Sequence, residues 1–196
     1  EAQIKCNVYT SPHIQKINER FVFNNKELED DELADLFQKV EKINDNKPIT
    51  FFEILTACYF YKAAQYPDNI NLIEAGLFHQ FDATNILSAN LSSIITSISK
   101  DHLDWLPKDE QTIEKIVFEK TSKLLNSNII VAKQNSKETV NYIKNNLSQN
   151  RSDKVYFNED FTYSIGENDF FYYEDKFGGL KLPKPNILGQ HQLENI

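Results

Sequence analysis

Three apolar runs of this chain each lead into a polar residue able to hold a metal ion. Lys5–Thr10 runs into Ser11, Ile70–Ile73 into Glu74, and Ile94–Ile98 into His102. Each run is short and reads as a buried β-strand. In an open parallel sheet, side chains just past the carboxyl ends of neighbouring strands converge on one crevice, where ligands bind. A hydroxyl, a carboxylate and an imidazole meeting there could hold a divalent cation, and through it a phosphate-bearing substrate. Each residue also has a plainer reading. Ser-Pro is a common way to open a loop, and a lone His is more often a satisfied surface or core residue. Glu74 is the sharpest of the three, because a bare carboxylate near a sheet centre needs a cation or hydrogen-bond donors. Its plainer reading is a structural ion pair.

Lys120 is the fourth residue of interest. The helix around it carries an apolar stripe of Ile113, Ile116, Val117 and Leu124, and Lys120 falls on that stripe, seven residues beyond Ile113 and four before Leu124. A buried lysine tends to lose its charge and becomes open to modification. The competing reading is a lysine whose stem packs while its ammonium reaches water. Asp82-Ala83-Thr84-Asn85 forms a polar loop that could cap a helix or touch a ligand. Trp105 reads as a packing residue.

The elements that must position these groups follow from periodicity and caps. Strands are expected over 5–10 and 20–24, with a turn at Asn24-Asn25. A helix from about Asp31 to Ile43 places Leu33, Leu36, Phe37 and Val40 on one face. Thr50, with Glu53 three residues on, makes a capping box for a helix that buries Phe51, Leu55, Cys58 and Tyr59. Asp109 could cap the next helix. Ile129–Ala132 reads as a strand, and Lys137–Leu147 as a helix carrying Val140, Ile143 and Leu147. Strands alternating with helices indicate an α/β fold with a parallel sheet. After Arg151, short aromatic pieces at Val155–Phe157, Phe161–Ile165, Phe170–Tyr173 and Gly179–Leu182 suggest a small antiparallel β extension.

The chain has 196 residues, 40% hydrophobic and 26% charged, as expected for one soluble domain with a real core. A net charge of -8 argues against nonspecific nucleic-acid or anionic-membrane binding. No apolar run is long enough to span a bilayer, and no signal-peptide pattern opens the sequence. Cys6 and Cys58 lie in apolar settings and read as reduced core thiols, so a cytoplasmic location is expected. The chain opens at Glu1, contains no Met, and stops at Ile196 as a new apolar element begins. It reads as an internal piece of a longer protein, the alternative being a small domain trimmed of its termini.

In order and spacing, these pieces resemble the folylpolyglutamate synthase/dihydrofolate synthase family of the Mur ligase superfamily. The resemblance is carried by Tyr9-Thr10-Ser11-Pro12-His13 with Asn18-Glu19-Arg20, by Thr50-Phe51-Phe52-Glu53, and by Glu74-Ala75-Gly76-Leu77. It continues in Asp82-Ala83-Thr84-Asn85, Ser97-Ile98-Ser99-Lys100-Asp101-His102, Glu119-Lys120 and Gly189-Gln190-His191-Gln192-Leu193-Glu194-Asn195. It implies a truncated piece of the P-loop-like central domain: an α/β core over 1–150, an antiparallel extension over 151–185, and the start of a returning core helix over 186–196. It also implies ligation of L-glutamate to dihydropteroate or a folate, through an acyl phosphate made from ATP, in a protein that is a monomer at full length.

By this resemblance Ser11, Glu74 and His102 are magnesium ligands. Lys120 corresponds to a carbamylated lysine acting with His102 in catalysis. Thr50, Phe52, Glu53, Gln80, Asp82, Thr84 and Asn85 border the pterin pocket, and Asn195 approaches the nucleotide. The chain departs from the family at identifiable points. The family's Gly-Thr-Asn-Gly-Lys-Gly-Ser type of phosphate loop would fall before residue 1 and its C-terminal domain after residue 196, so the segment alone is expected to be inactive. Phe78-His79-Gln80 stands where Gly-Gly-Arg is usual, and Glu119-Lys120-Thr121-Ser122 where Glu-Lys-Ala-Gly is usual. Rival expectations are another Mur-type ligase, acting for example on a cell-wall precursor, and a degenerate paralogue that binds without catalysis.

Overall fold

The computed structural model describes residues 4–166 and 170–183. The chain divides into two compact units, Glu1–Leu87 and Ser88–Ile196.

In the first unit, strand β1 (Cys6–Tyr9) alternates half-buried and buried side chains, as a strand with one covered face must. It is flanked by β2 (Phe21–Phe23), antiparallel, and by β4 (Ile70–Ile73), parallel. A two-residue turn joins β2 to the short β3 (Lys26–Glu27). Asn24 and Asn25 both take left-handed φ values, 51° and 64°, which is why asparagines occupy this hairpin. The sheet order is β3-β2-β1-β4. Helices α1 (Asp30–Asn44) and α2 (Phe51–Ala63) supply the rest of the core. Leu33, Leu36 and Val40 of α1 are buried as the spacing predicts, and Phe37 is half-buried. In α2, Leu55, Cys58 and Tyr59 are fully buried, but Phe51 is 62% exposed. Phe51 is the first helical residue, so it lies at the rim, and Thr56 takes the buried place by hydrogen bonding Tyr9 at 3.1 Å. Tyr9 sits at the centre of the core, stacked on Tyr59 at 4.9 Å between ring centroids.

The second unit holds a parallel sheet of β5 (Ser92–Ile95), β6 (Asn128–Val131) and β7 (Lys154–Tyr156). Helices α3 (Ile113–Thr121) and α4 (Lys137–Asn146) connect its strands. Its core gathers Ile95, Ile116, Val117, Ile129, Val131, Ile143 and Leu147, while Val140 is half-buried. Strands β8 (Phe161–Ile165), β9 (Phe170–Asp175) and β10 (Gly178–Pro183) form the antiparallel extension, in order β10-β9-β8.

The α/β class with an antiparallel extension stands, but several expectations need correction. Strand hydrogen bonding is divided between two core sheets rather than running through one. Leu72 of β4 and Ile94 of β5 are 51% and 65% exposed, so neither strand is buried on both faces. Val155 and Tyr156 belong to β7, which pairs parallel with β6, and only Phe157 bridges to the extension, opposite Phe161. Helix α3 is capped by Thr112, whose Oγ1 accepts from Lys115 N at 3.1 Å. Asp109 instead lies in a separate 3-10 turn, Lys108–Glu110. Trp105 is 72% exposed and does not pack as a core residue.

Both cysteines are free. Burial pushes the Cys58 thiol up to about 12, and only a thiolate alkylates readily. Iodoacetamide at pH 8 is therefore expected to label half-buried Cys6 first and to leave Cys58 unmodified until urea unfolds the protein. Mass spectrometry of the labelled peptides reads this directly, and equal native rates at the two sites would contradict the packing.

Candidate functional site

The parallel pairing of β1 with β4 sets Tyr9 beside Ile73, so both strands deliver their next residues to the same end of the sheet. Glu74 N donates to Tyr9 O at 2.9 Å, and Ser11 N donates to Glu74 Oε2 at 2.7 Å. The sequence-predicted pair Ser11 and Glu74 is thus brought together. Glu74 is exposed on an end strand of its sheet, not at the sheet centre, so the backbone donor and water offset its charge. Ser11 Oγ and Glu74 Oε1 make no hydrogen bond among the described residues. Two neighbouring oxygen donors, one anionic, suit a hard divalent cation.

The loop after Ser11 begins with a cis Ser11-Pro12 bond and is organised by Glu19. That carboxylate accepts from the backbone of Ile14, Gln15 and Lys16 at 2.7–2.9 Å, which holds it below the usual carboxylate range. Arg20 is buried, and its Nε donates to His13 Nδ1 at 3.0 Å.

A second group of predicted residues lies in the same unit. Thr50 and Glu53 form the expected capping box: Glu53 Oε2 accepts from Thr50 N at 2.8 Å and from Thr50 Oγ1 at 2.7 Å. These bonds hold Glu53 below the usual carboxylate range. Phe52 is half-buried, its ring pressed on Gly76. A Cβ on Gly76 would fall 2.7 Å from the Phe52 ring and 2.8 Å from Asp82 Oδ2, so only glycine fits there. Asp82 organises the turn beyond it. Its Oδ2 accepts from Gly76 N and Leu77 N at 2.9 and 3.1 Å, and its Oδ1 accepts from Thr84 N and Thr84 Oγ1 at 2.9 and 2.6 Å. Thr84 is buried, while Gln80 and Asn85 are half-buried.

His79 opens a 3-10 turn, His79–Phe81, beside Asp82. Desolvation pushes its imidazole below the ordinary histidine range, and the Asp82 charge opposes this in part. The unfolded chain therefore takes up this proton at a higher pH than the folded chain. Stability is fully present above the ordinary histidine value and is lost as pH falls through the folded one. Glu19 and Glu53 lose their contributions only in the more acid carboxylate range. His79→Gln should accordingly flatten the fall in urea midpoint as pH drops below about 6.5. An unchanged slope would dismiss His79 as its source.

His102 and Lys120 belong to the second unit. Gln134 fixes the segment after β5, accepting from Ile98 N at 3.0 Å and donating to Thr96 O and Ala132 O at 3.0 and 2.9 Å. His102 lies seven residues past Ile95 in a left-handed conformation (φ 56°), its Nε2 3.4 Å from Asp101 Oδ2. It follows a loop rather than ending a strand. Lys120 is half-buried in the last turn of α3, which stops at Thr121, short of Leu124. The buried face there is Ile116, Val117, Glu119 and Thr121. Sequence reading missed buried Glu119, whose Oε1 pairs with Lys115 at 3.1 Å; the i,i+4 Lys–Glu spacing was its signal. It also missed the Arg20–His13 bond, which no spacing rule announces. Among the described residues, no three or more His, Cys, Asp or Glu side chains gather into a metal-binding group. Asn195 and the motif around it lie outside the described residues.

The fold is that of an α/β domain of the Mur ligase type. No protein-family model matches the chain. It is, however, homologous to the dihydrofolate synthase/folylpolyglutamate synthases. It is 30% identical to that protein of Bacillus subtilis over 209 aligned residues, which cover 100% of this chain and 47% of the relative. Escherichia coli FolC in complex with DHPP and ADP superposes with a TM-score of 0.81 at 27% identity, covering 98% of this chain and 44% of that one. The bifunctional folylpolyglutamate synthase/dihydrofolate synthase of Yersinia pestis, complexed with AMPPNP and Mn ion, gives 0.80 at 25% identity, covering 95% and 44%. The chain spans less than half the length of the curated relatives it matches. Among the described residues, no helix is long and apolar enough to cross a membrane.

Proposed function

We propose that the whole protein is a cytoplasmic, monomeric ATP-dependent ligase that joins L-glutamate to dihydropteroate or a folate through an acyl phosphate. The observation that carries this reading is the Ser11–Glu74 corner at the carboxyl ends of two parallel strands, in a chain homologous along its length to such synthases. Relatives bound to ADP with DHPP, and to AMPPNP with Mn ion, support nucleotide, pteroate and divalent-metal use.

Ser11, Glu74 and His102 would hold magnesium. Bound there, the cation would offset phosphate charge and polarise the phosphoryl group. Glu74 is kept in place by the Ser11 N–H, so its free oxygen needs little reordering to coordinate. Lys120 would serve as its carbamate: the neutral amine adds to carbon dioxide, an N–C bond forms, a proton leaves, and an ammonium is replaced by an anionic oxygen donor. The substrate carboxylate displaces ADP from ATP to give the acyl phosphate, and the glutamate amine then displaces phosphate. Phe52, Gly76 and the Asp82 turn would wall the ring system, with Thr50, Glu53, Gln80, Thr84 and Asn85 at its border, and Asn195 would reach the nucleotide. Because Phe78-His79-Gln80 replaces Gly-Gly-Arg, a different Mur-type acceptor is the reading to test beside this one.

The whole protein should release ADP and phosphate only when glutamate and dihydropteroate or folate are both present, and EDTA should stop it. Glu74→Gln should lower kcat by about two orders of magnitude, in line with losing one charged group from a metal site. ATP turnover that ignores the acceptor would sink the ligase reading, and the segment alone should show no ligation.

A further inference from the structure

Arg20 is the only buried cation among the described residues, 7% exposed. A guanidinium cannot shed its charge, and a buried charge is costly unless it is paired. Yet its single side-chain hydrogen bond among the described residues runs to a neutral acceptor, His13 Nδ1. No described carboxylate lies within the 4.0 Å ion-pair distance. Glu19, next to it in sequence, is committed to three backbone donors. Neither terminal nitrogen of Arg20 is sealed from solvent without a partner, so an incoming oxygen can meet them. Because His13 Nδ1 accepts from Arg20, the neutral ring carries its proton on Nε2 and offers a further donor. Thr10 N also bonds Arg20 O at 3.3 Å, one residue from Ser11.

We propose that Arg20 and His13 form an oxyanion subsite beside the Ser11–Glu74 corner, receiving a carboxylate or phosphate group of a substrate. The planar fork of an arginine suits either group. Only the identity of the oxyanion rests on the ligase reading.

The test compares Arg20→Gln and Arg20→Lys with the parent in the whole protein, using circular dichroism to confirm folding. Arg20→Gln is expected to raise KM at least tenfold for one co-substrate while leaving the other within about twofold. A rise confined to dihydropteroate or folate assigns the carboxylate, and one confined to ATP assigns a phosphate. Arg20→Lys, which keeps the charge but loses the fork, should fall between. A folded Arg20→Gln variant with both KM values unchanged overturns the proposal. If Arg20→Gln does not fold, parental KM values in Arg20→Lys overturn it. Should the parent show no ligase turnover, the ligase reading fails separately. The subsite is then read by nitrogen NMR of Arg20 Nε and the His13 ring on titration with inorganic phosphate and with benzoate. Saturable shifts with either probe, lost in the variant, support it, and their absence with both overturns it.

Discussion

Lys120→Ala in the whole protein is expected to lower turnover by three orders of magnitude or more while leaving the fold in place. The structural side of that expectation is secure in the helix itself. Lys120 is half-buried in the last turn of α3, and the buried face is kept by Ile116, Val117, Glu119 and Thr121. Alanine is the better helix former, and the loss of a cation near the helix C-terminus costs about 1 kcal/mol at most. The catalytic side follows from the carbamate. On the proposed role, the variant would lack an anionic oxygen donor, and with it charge that would position the cation at the transferred phosphate. Formate or acetate supplied in solution should restore part of the activity by filling the vacated space. They should do nothing if Lys120 works as an ammonium, because an anion cannot replace a cation. Turnover within tenfold of the parent would leave the half-buried stem as a packing element and remove Lys120 from the site.

What the sequence could announce was what local geometry decides. Thr50 and Glu53 bond each other as their three-residue spacing requires, and Asn24-Asn25 turns the hairpin because asparagine tolerates a left-handed backbone. The stripe Leu33, Leu36, Val40 is buried because α1 turns one face into the core cluster that it shares with α2. What it could not announce depends on partners far along the chain. A three-residue strand such as β7 carries too little pattern to distinguish parallel from antiparallel pairing, and its partner Ile129–Val131 lies more than twenty residues earlier. In sequence His102 follows an apolar run that continues to Ile98, although hydrogen bonding to β6 ends at Ile95. The Lys120 stripe continues in sequence to Leu124, because periodicity does not see that α3 ends at Thr121. At the site, Ser11 and Glu74 were legible as strand-end residues, but the bond between them needs the β1–β4 register. The same holds for Asp82, whose type suggested a ligand contact and whose geometry shows four donors already taken.

Four donors on one carboxylate make Asp82 a determinant of stability before one of binding. Asp82→Ala removes the acceptor for Gly76 N, Leu77 N, Thr84 N and Thr84 Oγ1 together. Hydrogen bonds to a charged group contribute about 1.5–3 kcal/mol each, but these four share one carboxylate and will not add fully. Thr84 is buried, so its donors cannot all turn to water. The first unit should lose about 2–4 kcal/mol, read as a lowered urea midpoint. Asp82→Asn keeps one acceptor oxygen and should lose about half as much. Thr84→Val, which removes a single donor and keeps the shape, should cost about 1 kcal/mol. Any binding defect in these variants should follow the stability order, because Asp82 shapes the turn that carries Gly76 against Phe52. An Asp82→Ala protein of parental stability that has lost pteroate or folate binding would reverse this assignment and make the carboxylate a direct ligand contact.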